Sequence, residues 1–586
     1  MVQPRRSLRV AFYAILIGVA PAFAQDARPE HDASAPHPLP AAIQAKPVTA
    51  NVTVTDAQLR NAAQDRNDWR LHGRTYDNQR FSPLSQINRA NVKKLVPVSI
   101  IQTGVVNSFE VTPIVVNGVM YIVTPSDHVQ AYDAASGEIL WVYNPILKYS
   151  DLCCGPEARG VAVGYGKVFV AQLDGVVIAL DARTGSLVWK SDPAVAPSTG
   201  TVHYSFTGAP QVYDGMVLIG SSGAEYPTRG FVVALDAATG KLIWQFHTTA
   251  APGEPGGDTW TGDSWKTGGG SVWNTPAVDP KNGLISFGVG NPNPDIVGDD
   301  RLGDNAYTDS ILALHVKDGT LAWWYQEVAH DLWDYDAAGP VILLDARDTY
   351  GKMVPAAAEA GKEGQLFIVN RLTGKLLHKS PSFVLESANK WTPPSSTPGD
   401  PHYPSASGGG EWSPPAFSPL TRAIYVMGSN VAWSYASQRI NQQHPPVGMW
   451  IGGDMHPLLD GKAAHTIEPS GTLSAINVDT GKIGWQYHSD FPMVGGVLAT
   501  AGDLVFAGEM NGNFDAFEAK SGAKLWHFNL GSGVNAPPIT YRVKDVQYVA
   551  VAAGGNGANS NDELLAMRGH PQSGDVVAIF ALAGGH

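Results

Sequence analysis

Apolar and polar positions alternate along most of this chain in short runs that Gly, Asn or Asp interrupt at close intervals. Pro113-Ile-Val-Val-Asn-Gly-Val-Met-Tyr-Ile and Gln211-Val-Tyr-Asp-Gly-Met-Val-Leu-Ile each set an Asn-Gly or Asp-Gly pair between two apolar segments. That pattern predicts a β-hairpin with a tight turn. A second phrase follows most of these hairpins. Ala131-Tyr-Asp-Ala-Ala-Ser-Gly-Glu-Ile-Leu-Trp141 recurs as Ala179…Trp189, Ala234…Trp244, Ala313…Trp323, Ala475…Trp485 and Ala516…Trp526, with a worn copy at Ile368–His378. Each copy reads as strand, glycine turn, strand. Repetition of this kind predicts an all-β chain, a propeller of four-stranded antiparallel blades with the repeated Trp packed between neighbours. Seven copies, plus a blade lacking the phrase around Arg422-Ala-Ile-Tyr-Val-Met-Gly, predict eight blades. The wide gaps after Trp244 and His378 leave room for functional loops.

The ends of the chain read differently. Arg5, Arg6 and Arg9 precede the apolar run Val10–Ala20, and Ala22-Phe23-Ala24 offers a small-residue cleavage site. Residues 1–24 therefore read as a secretory signal peptide, too short in its apolar part to span a bilayer, which implies export to the periplasm. Residues 25–55, with repeated prolines, read as a flexible lead-in, and 56–586 as a single propeller domain. The chain carries 53 acidic against 40 basic residues, and the leader takes three of the basic ones with it. No basic stretch remains, which argues against nucleic acid and anionic membranes and leaves a surface suited to a basic soluble protein.

Only two cysteines occur, and they are adjacent: Asp151-Leu152-Cys153-Cys154-Gly155-Pro156. Neighbouring Cα atoms lie ~3.8 Å apart, closer than the usual disulfide minimum of ~4.4 Å, so a bond between them would close a small strained ring and staple nothing. A pair of buried thiols acting as small hydrophobes is the other reading. An oxidising destination lets the disulfide persist. The chain has no Cys-x-x-Cys-His, so no c-type haem attaches to it.

Taken with these cysteines, several motifs make the chain resemble the pyrroloquinoline quinone (PQQ)-dependent alcohol dehydrogenases, the family of methanol dehydrogenase. They are Asp68-Trp69-Arg70-Leu71-His72-Gly73-Arg74-Thr75, Arg159-Gly160-Val161-Ala162, Ser222-Gly223-Ala224-Glu225, Gly290-Asn291-Pro292 and His330-Asp331-Leu332-Trp333-Asp334-Tyr335-Asp336. The resemblance implies that PQQ lies between a Cys153–Cys154 disulfide and Trp273. It implies contacts to the cofactor from Glu110, Arg159, Thr207, Ser222, Gly223, Ala224, Ser271 and Lys362. It assigns Glu225, Asn291 and Asp334 to a metal ion, with Asp334 also the catalytic base that takes the hydroxyl proton while a hydride moves to PQQ C5. These oxygen donors suit a hard cation rather than zinc or copper. Asp336, two residues beyond the base, is similar to the lanthanide-dependent subgroup. An extra carboxylate suits a trivalent ion, so a lanthanide(III) is favoured over Ca²⁺. In an extended segment, residues 334 and 336 share a side.

Three positions depart from the family's pattern: Glu411 in Gly409-Gly410-Glu411-Trp412, Asp295 after Gly-Asn-Pro-x-Pro, and Val494. The first bears on cofactor contacts, and the other two on the shape of the substrate pocket. The expected activity is oxidation of a small-molecule alcohol to an aldehyde, with electrons passed to a separate soluble c-type cytochrome. A quinoprotein for a sugar or polymeric alcohol is the alternative, and a scaffold propeller without cofactor the competing class. A homodimer is compatible with all of these.

Overall fold

The computed structural model describes residues 42–148, 152, 155–193, 204–439, 448–555, 561–570 and 573–584. The expected signal peptide, and the lead-in up to residue 41, lie outside them. Residues 42–55 are built onto the propeller. Ile43–Gln44 pairs with Ile139–Tyr143, while Val48, Val52 and Val54 are buried.

Eight antiparallel blades follow one another along the chain, and in six of them four consecutive strands make up the blade, as the hairpin pattern requires. Their first strands begin at Ile114, Ala162, Gln211, Ala277, Ile342, Ala416, Leu498 and Ile539. These lie innermost, and those of neighbouring blades touch, as Ala162–Gly164 touches Gln211–Tyr213. Among the described residues no helix is long and apolar enough to cross a membrane.

The recurring Trp does what its spacing predicts. The indole NH of Trp141 donates to Ala182 O (3.2 Å), Trp189 to Ala237 O (3.2 Å), Trp244 to Val316 O (3.0 Å) and Trp485 to Ala519 O (3.1 Å), each acceptor in the next blade's turn. The turn glycine of that next blade lies flat on the ring. A Cβ on Gly185 would come within 2.5 Å of the Trp141 ring, and Gly185 has φ +72° besides. Two requirements, left-handed backbone and no side chain, thus select Gly in the phrase. The Ala opening each phrase sits opposite the Trp on the paired strand, as Ala131 opposite Trp141.

The count of eight holds, but the blade lacking the phrase is not the one expected. Ala423–Asn430 pairs with Ser470–Asn477, and so belongs to the blade of the Ala475…Trp485 copy. An insertion that includes the hairpin of Ala432–Ser437 and Gly453–Leu458 separates the two strands in sequence. The eighth blade joins both halves of the chain: Ile539–Val543, Val546–Gly554, Asp575–Leu582 and, as its outer strand, Leu95–Gln102. Its third and fourth strands share no turn, so the phrase cannot exist there. Trp526 joins the seventh blade to the eighth by donating to Leu95 O (3.1 Å).

Candidate functional site

In a four-stranded blade the first strand leaves one end of the propeller and the second returns to it. Segments entering first strands and loops after second strands therefore gather at one end. The residues singled out from the sequence occupy these places. Glu110, Arg159, Thr207, Ser271 with Trp273, and Asp334 with Asp336 precede the first strands of blades one to five. Ser222, Gly223, Ala224 and Glu225, then Asn291, then Lys362 follow the second strands of blades three, four and five.

One pocket at this end is lined by Arg159, Thr207, Ser222, Gly223, Glu225, Ser271, Trp273, Asp334, Asp336 and Lys362. Glu110 stands behind it, paired with Arg159 through Oε2 at 2.9 Å. Ala224 and Asn291 are buried in the wall, and the Asn291 amide donates to Pro292 O at 3.3 Å. Cys153 and Cys154 lie outside the described residues, while Leu152 and Gly155 on either side of them line the pocket. Glu157, Ser205, Glu411 and Trp412 line it too. Glu157 was missed by sequence reasoning although it lies two residues before Arg159. Trp412 was legible only as the neighbour of Glu411.

Asp334 and Asp336 turn the same way. Lys362 Nζ meets Asp334 Oδ2 at 2.9 Å and Asp336 Oδ1 at 3.3 Å, with Glu411 Oε1 at 4.0 Å. Tyr335 between them points away and donates to Pro404 O at 2.8 Å. Asp334 is held at φ +65°, an uncommon conformation for a non-glycine residue and one that aims its carboxylate into the pocket. Asp336 Oδ2 accepts the Trp273 indole NH at 2.8 Å. On the other side, Arg159 lies 4.8 Å over the Trp273 ring and donates to Thr207 Oγ1 at 2.7 Å, and Thr207 in turn meets Ser222 Oγ at 2.8 Å.

Burial is the chief force on these groups. It raises Asp334 well above the usual carboxylate range; Lys362 opposes this, while Asp336 and Asp295 add to it. Glu157 is pushed up to about 8 by burial and by Glu110, and Glu411 to about 7 by burial, against the pull of Lys362. For Lys362 burial acts to lower the value, but Asp334, Asp336 and Glu411 outweigh it and hold the ammonium charged. Asp295, fully buried, is raised by burial and by Glu225 and Asp336, which brings that departure from the family's pattern into the same acidic cluster.

The polar atoms left over show what such a pocket can hold. Among the described residues, Arg159 Nε and Trp412 Nε1 are buried donors that meet no acceptor, and Asp334 Oδ1 and both Glu157 oxygens are buried acceptors that meet no donor. Unpaired groups of this kind cost about 1–3 kcal/mol each unless a ligand meets them. Donors beside a flat indole suit a planar, acidic aromatic molecule; acceptors in a strongly acidic cluster suit a cation. The residues present fit PQQ and a hard metal ion.

The comparisons name the class of protein these features define. The sequence matches the family described as "PQQ: Glucose/ethanol/alcohol dehydrogenase, beta-propeller domain" over residues 69–381 and 382–549. It is 36% identical to the quinohemoprotein alcohol dehydrogenase ADH IIB of Pseudomonas putida over 536 residues, covering 86% of this chain and 76% of that protein. The fold superposes with a TM-score of 0.83 on the quinohemoprotein alcohol dehydrogenase ADHIIG of Pseudomonas putida HK5, at 32% identity, covering 91% of this chain and 83% of the other. A europium-containing methanol dehydrogenase gives a TM-score of 0.81 at 29% identity, covering 90% of this chain and all of that one. The chain belongs to the PQQ-dependent alcohol dehydrogenase family.

Proposed function

We propose that this protein oxidises a primary alcohol to an aldehyde in the periplasm, with PQQ and a metal ion bound in the pocket, and passes the electrons to a separate soluble c-type cytochrome. The observation that carries the proposal is Asp334. Lys362 holds one of its oxygens, while the other, Oδ1, meets no donor among the described residues. Such a carboxylate is poised to take a hydroxyl proton. When bound, PQQ supplies the acceptor for the hydride and the metal ion a Lewis acid that keeps the base ionised. Arg159, Thr207, Ser222 and Ser271 would hold the quinone against Trp273, and Glu225, Asn291, Asp334 and Asp336 the ion.

Asp336 beside Asp334 adds one carboxylate to the set of Glu225, Asn291 and Asp334, and the extra acid favours a lanthanide(III) over Ca²⁺. An apolar cluster that includes Trp433, Tyr435, Phe491, Val494, Leu564 and Leu565 packs against Trp273. It favours an alcohol with an apolar chain over a sugar.

The test is reconstitution with PQQ and either La³⁺ or Ca²⁺, assayed with a one-electron dye and primary alcohols. We expect turnover with both, at least about tenfold faster with La³⁺. Asp336→Ala should lose the La³⁺-dependent rate and retain the Ca²⁺-dependent one. Absence of turnover and of quinone absorbance with either ion would overturn the assignment, and equal loss of both rates in Asp336→Ala the choice of metal.

A further inference from the structure

Behind the pocket, between the fourth and fifth blades, the protein buries a second set of acids for which the steps above have no use. Glu359, on Met353–Ala360 of blade five, has no exposed surface. Glu327 follows the outer strand of blade four, Leu321–Gln326, where the chain comes to the surface. Their carboxyls lie within hydrogen-bonding reach of each other. Among the described residues no donor meets either oxygen of Glu327, or Oε2 of Glu359. Two carboxylates can share a hydrogen bond only if one carries a proton, so this pair stores one.

The pair also adjoins the catalytic segment. Glu359 Oε1 accepts from Gly339 N at 2.7 Å. A Cβ on Gly361 would lie 3.2 Å from Glu359 Oε2 and 2.6 Å from Asp336 O, so only a glycine separates this carboxyl from the backbone that carries the base. Glu327 is faced by Glu359, Glu363 and Lys379, and Glu359 by Glu327, Glu363 and Asp336. Glu363 in turn pairs with Lys390 at 2.9 Å and lies 3.7 Å from Lys379, whose side chain is 37% exposed. Burial raises both members, Glu359 to about 8, so the pair can take up and release a proton near neutrality.

Oxidation of R–CH₂OH to R–CHO removes two electrons and two protons. The O–H bond breaks with its proton going to Asp334, and the C–H electron pair passes by way of the cofactor to the external one-electron acceptor. Both protons must then leave the pocket. We propose that Glu359 and Glu327 form the proton exit, passing protons from the Asp334–Asp336 segment, across the gap at Gly361, to the surface between blades four and five. The proposal rests on the assignment of Asp334 as base. The competing role is a purely structural tie between blades, with a shared proton that never moves.

Glu327→Gln and Glu359→Gln keep the shape of the side chain and remove the titrating group. The PQQ- and metal-loaded variants are compared with wild type in saturating alcohol and dye. We expect kcat to fall about tenfold or more with KM unchanged, the solvent deuterium effect on kcat to rise, the alkaline limb of the pH profile to shift, and small diffusible bases such as imidazole to restore the rate. In metal-free wild type at pH 7, infrared spectra should show a protonated-carboxyl band that Glu327→Gln removes. A wild-type kcat, solvent isotope effect and pH profile in both variants, with only a lower Tm, would overturn the relay in favour of the structural tie. So would absence of the band. If Glu359→Gln fails to fold, Glu327→Gln at the surface end decides alone. If Asp334→Asn is inactive while the relay variants match wild type, only the exit fails and the dehydrogenase stands; an inactive loaded wild type overturns both.

Discussion

Two regions near the propeller axis bury charge, and they treat it in opposite ways. Residues 67–82 run along the inner strands and bond to most blades in turn. Trp69 pairs with Val115, Asn78 donates to Thr275 O and Val341 O, and Phe81–Ser82 adds a parallel strand to Leu498–Thr500. At the centre, Arg80 is wholly buried with no carboxylate beside it. Instead it donates to Val497 O (2.9 Å), His72 O (2.7 Å) and Pro538 O (2.7 Å). In the pocket, among the described residues, Arg159 pairs with a carboxylate yet leaves Nε without an acceptor, and Asp334 leaves an oxygen without a donor. The contrast separates architecture from function. A buried charge whose bonds are all made within the chain holds blades together; one whose bonds stay open is kept for something that arrives.

That contrast breaks first, and most visibly, at Asp334. Asp334→Asn should lower kcat about 10³-fold in the reconstituted enzyme with only a small change in the Tm of the metal-free protein, because Asp336 and Glu411 still face the Lys362 ammonium. A large fall in Tm would mean that the residue is architectural. Arg80→Met should do the reverse. It strands several carbonyls and should cost about 3–5 kcal/mol, read as an earlier denaturant midpoint, with kcat per folded molecule retained.

A smaller effect concerns pH. Glu411 and Glu157 are raised to about 7 and about 8, so each favours the folded state while it is protonated. Their contribution is full below the ordinary carboxylate range near 4.5 and is lost as pH rises through 7 and 8. A tenfold change in proton affinity is worth roughly 1.4 kcal/mol, and neighbouring acids that repel one another do not add in full. The metal-free protein should therefore lose about 1–3 kcal/mol of stability between about pH 5 and about pH 8. A bound cation should flatten the slope. A metal-free Tm that is level across this range would place the strain elsewhere.

Much of the site is legible in the sequence through its motifs, whose resemblance to the family's singles out Arg159, Ser271, Asp334 and Lys362; that these fall at the same two places in successive blades is seen only in the structure. The shared side of 334 and 336 is legible from their spacing. Glu157 carries no periodic signal, and the meeting of Glu327 with Glu359 depends on how two blades face each other.

By itself, then, the chain declares its local geometry. Asn-Gly and Asp-Gly turns, the Ala…Gly…Trp phrase and the run of seven copies act over about ten residues each, and they are enough for blades and their approximate number. Closure is another matter. That Leu95–Gln102 should pair with Asp575–Leu582, or that Ala423–Asn430 should wait across an insertion for Ser470–Asn477, follows from the requirement that each blade reach its four strands once the ring is complete. Only the closed ring determines which strands lie together, and which buried acids come to face one another across its seams.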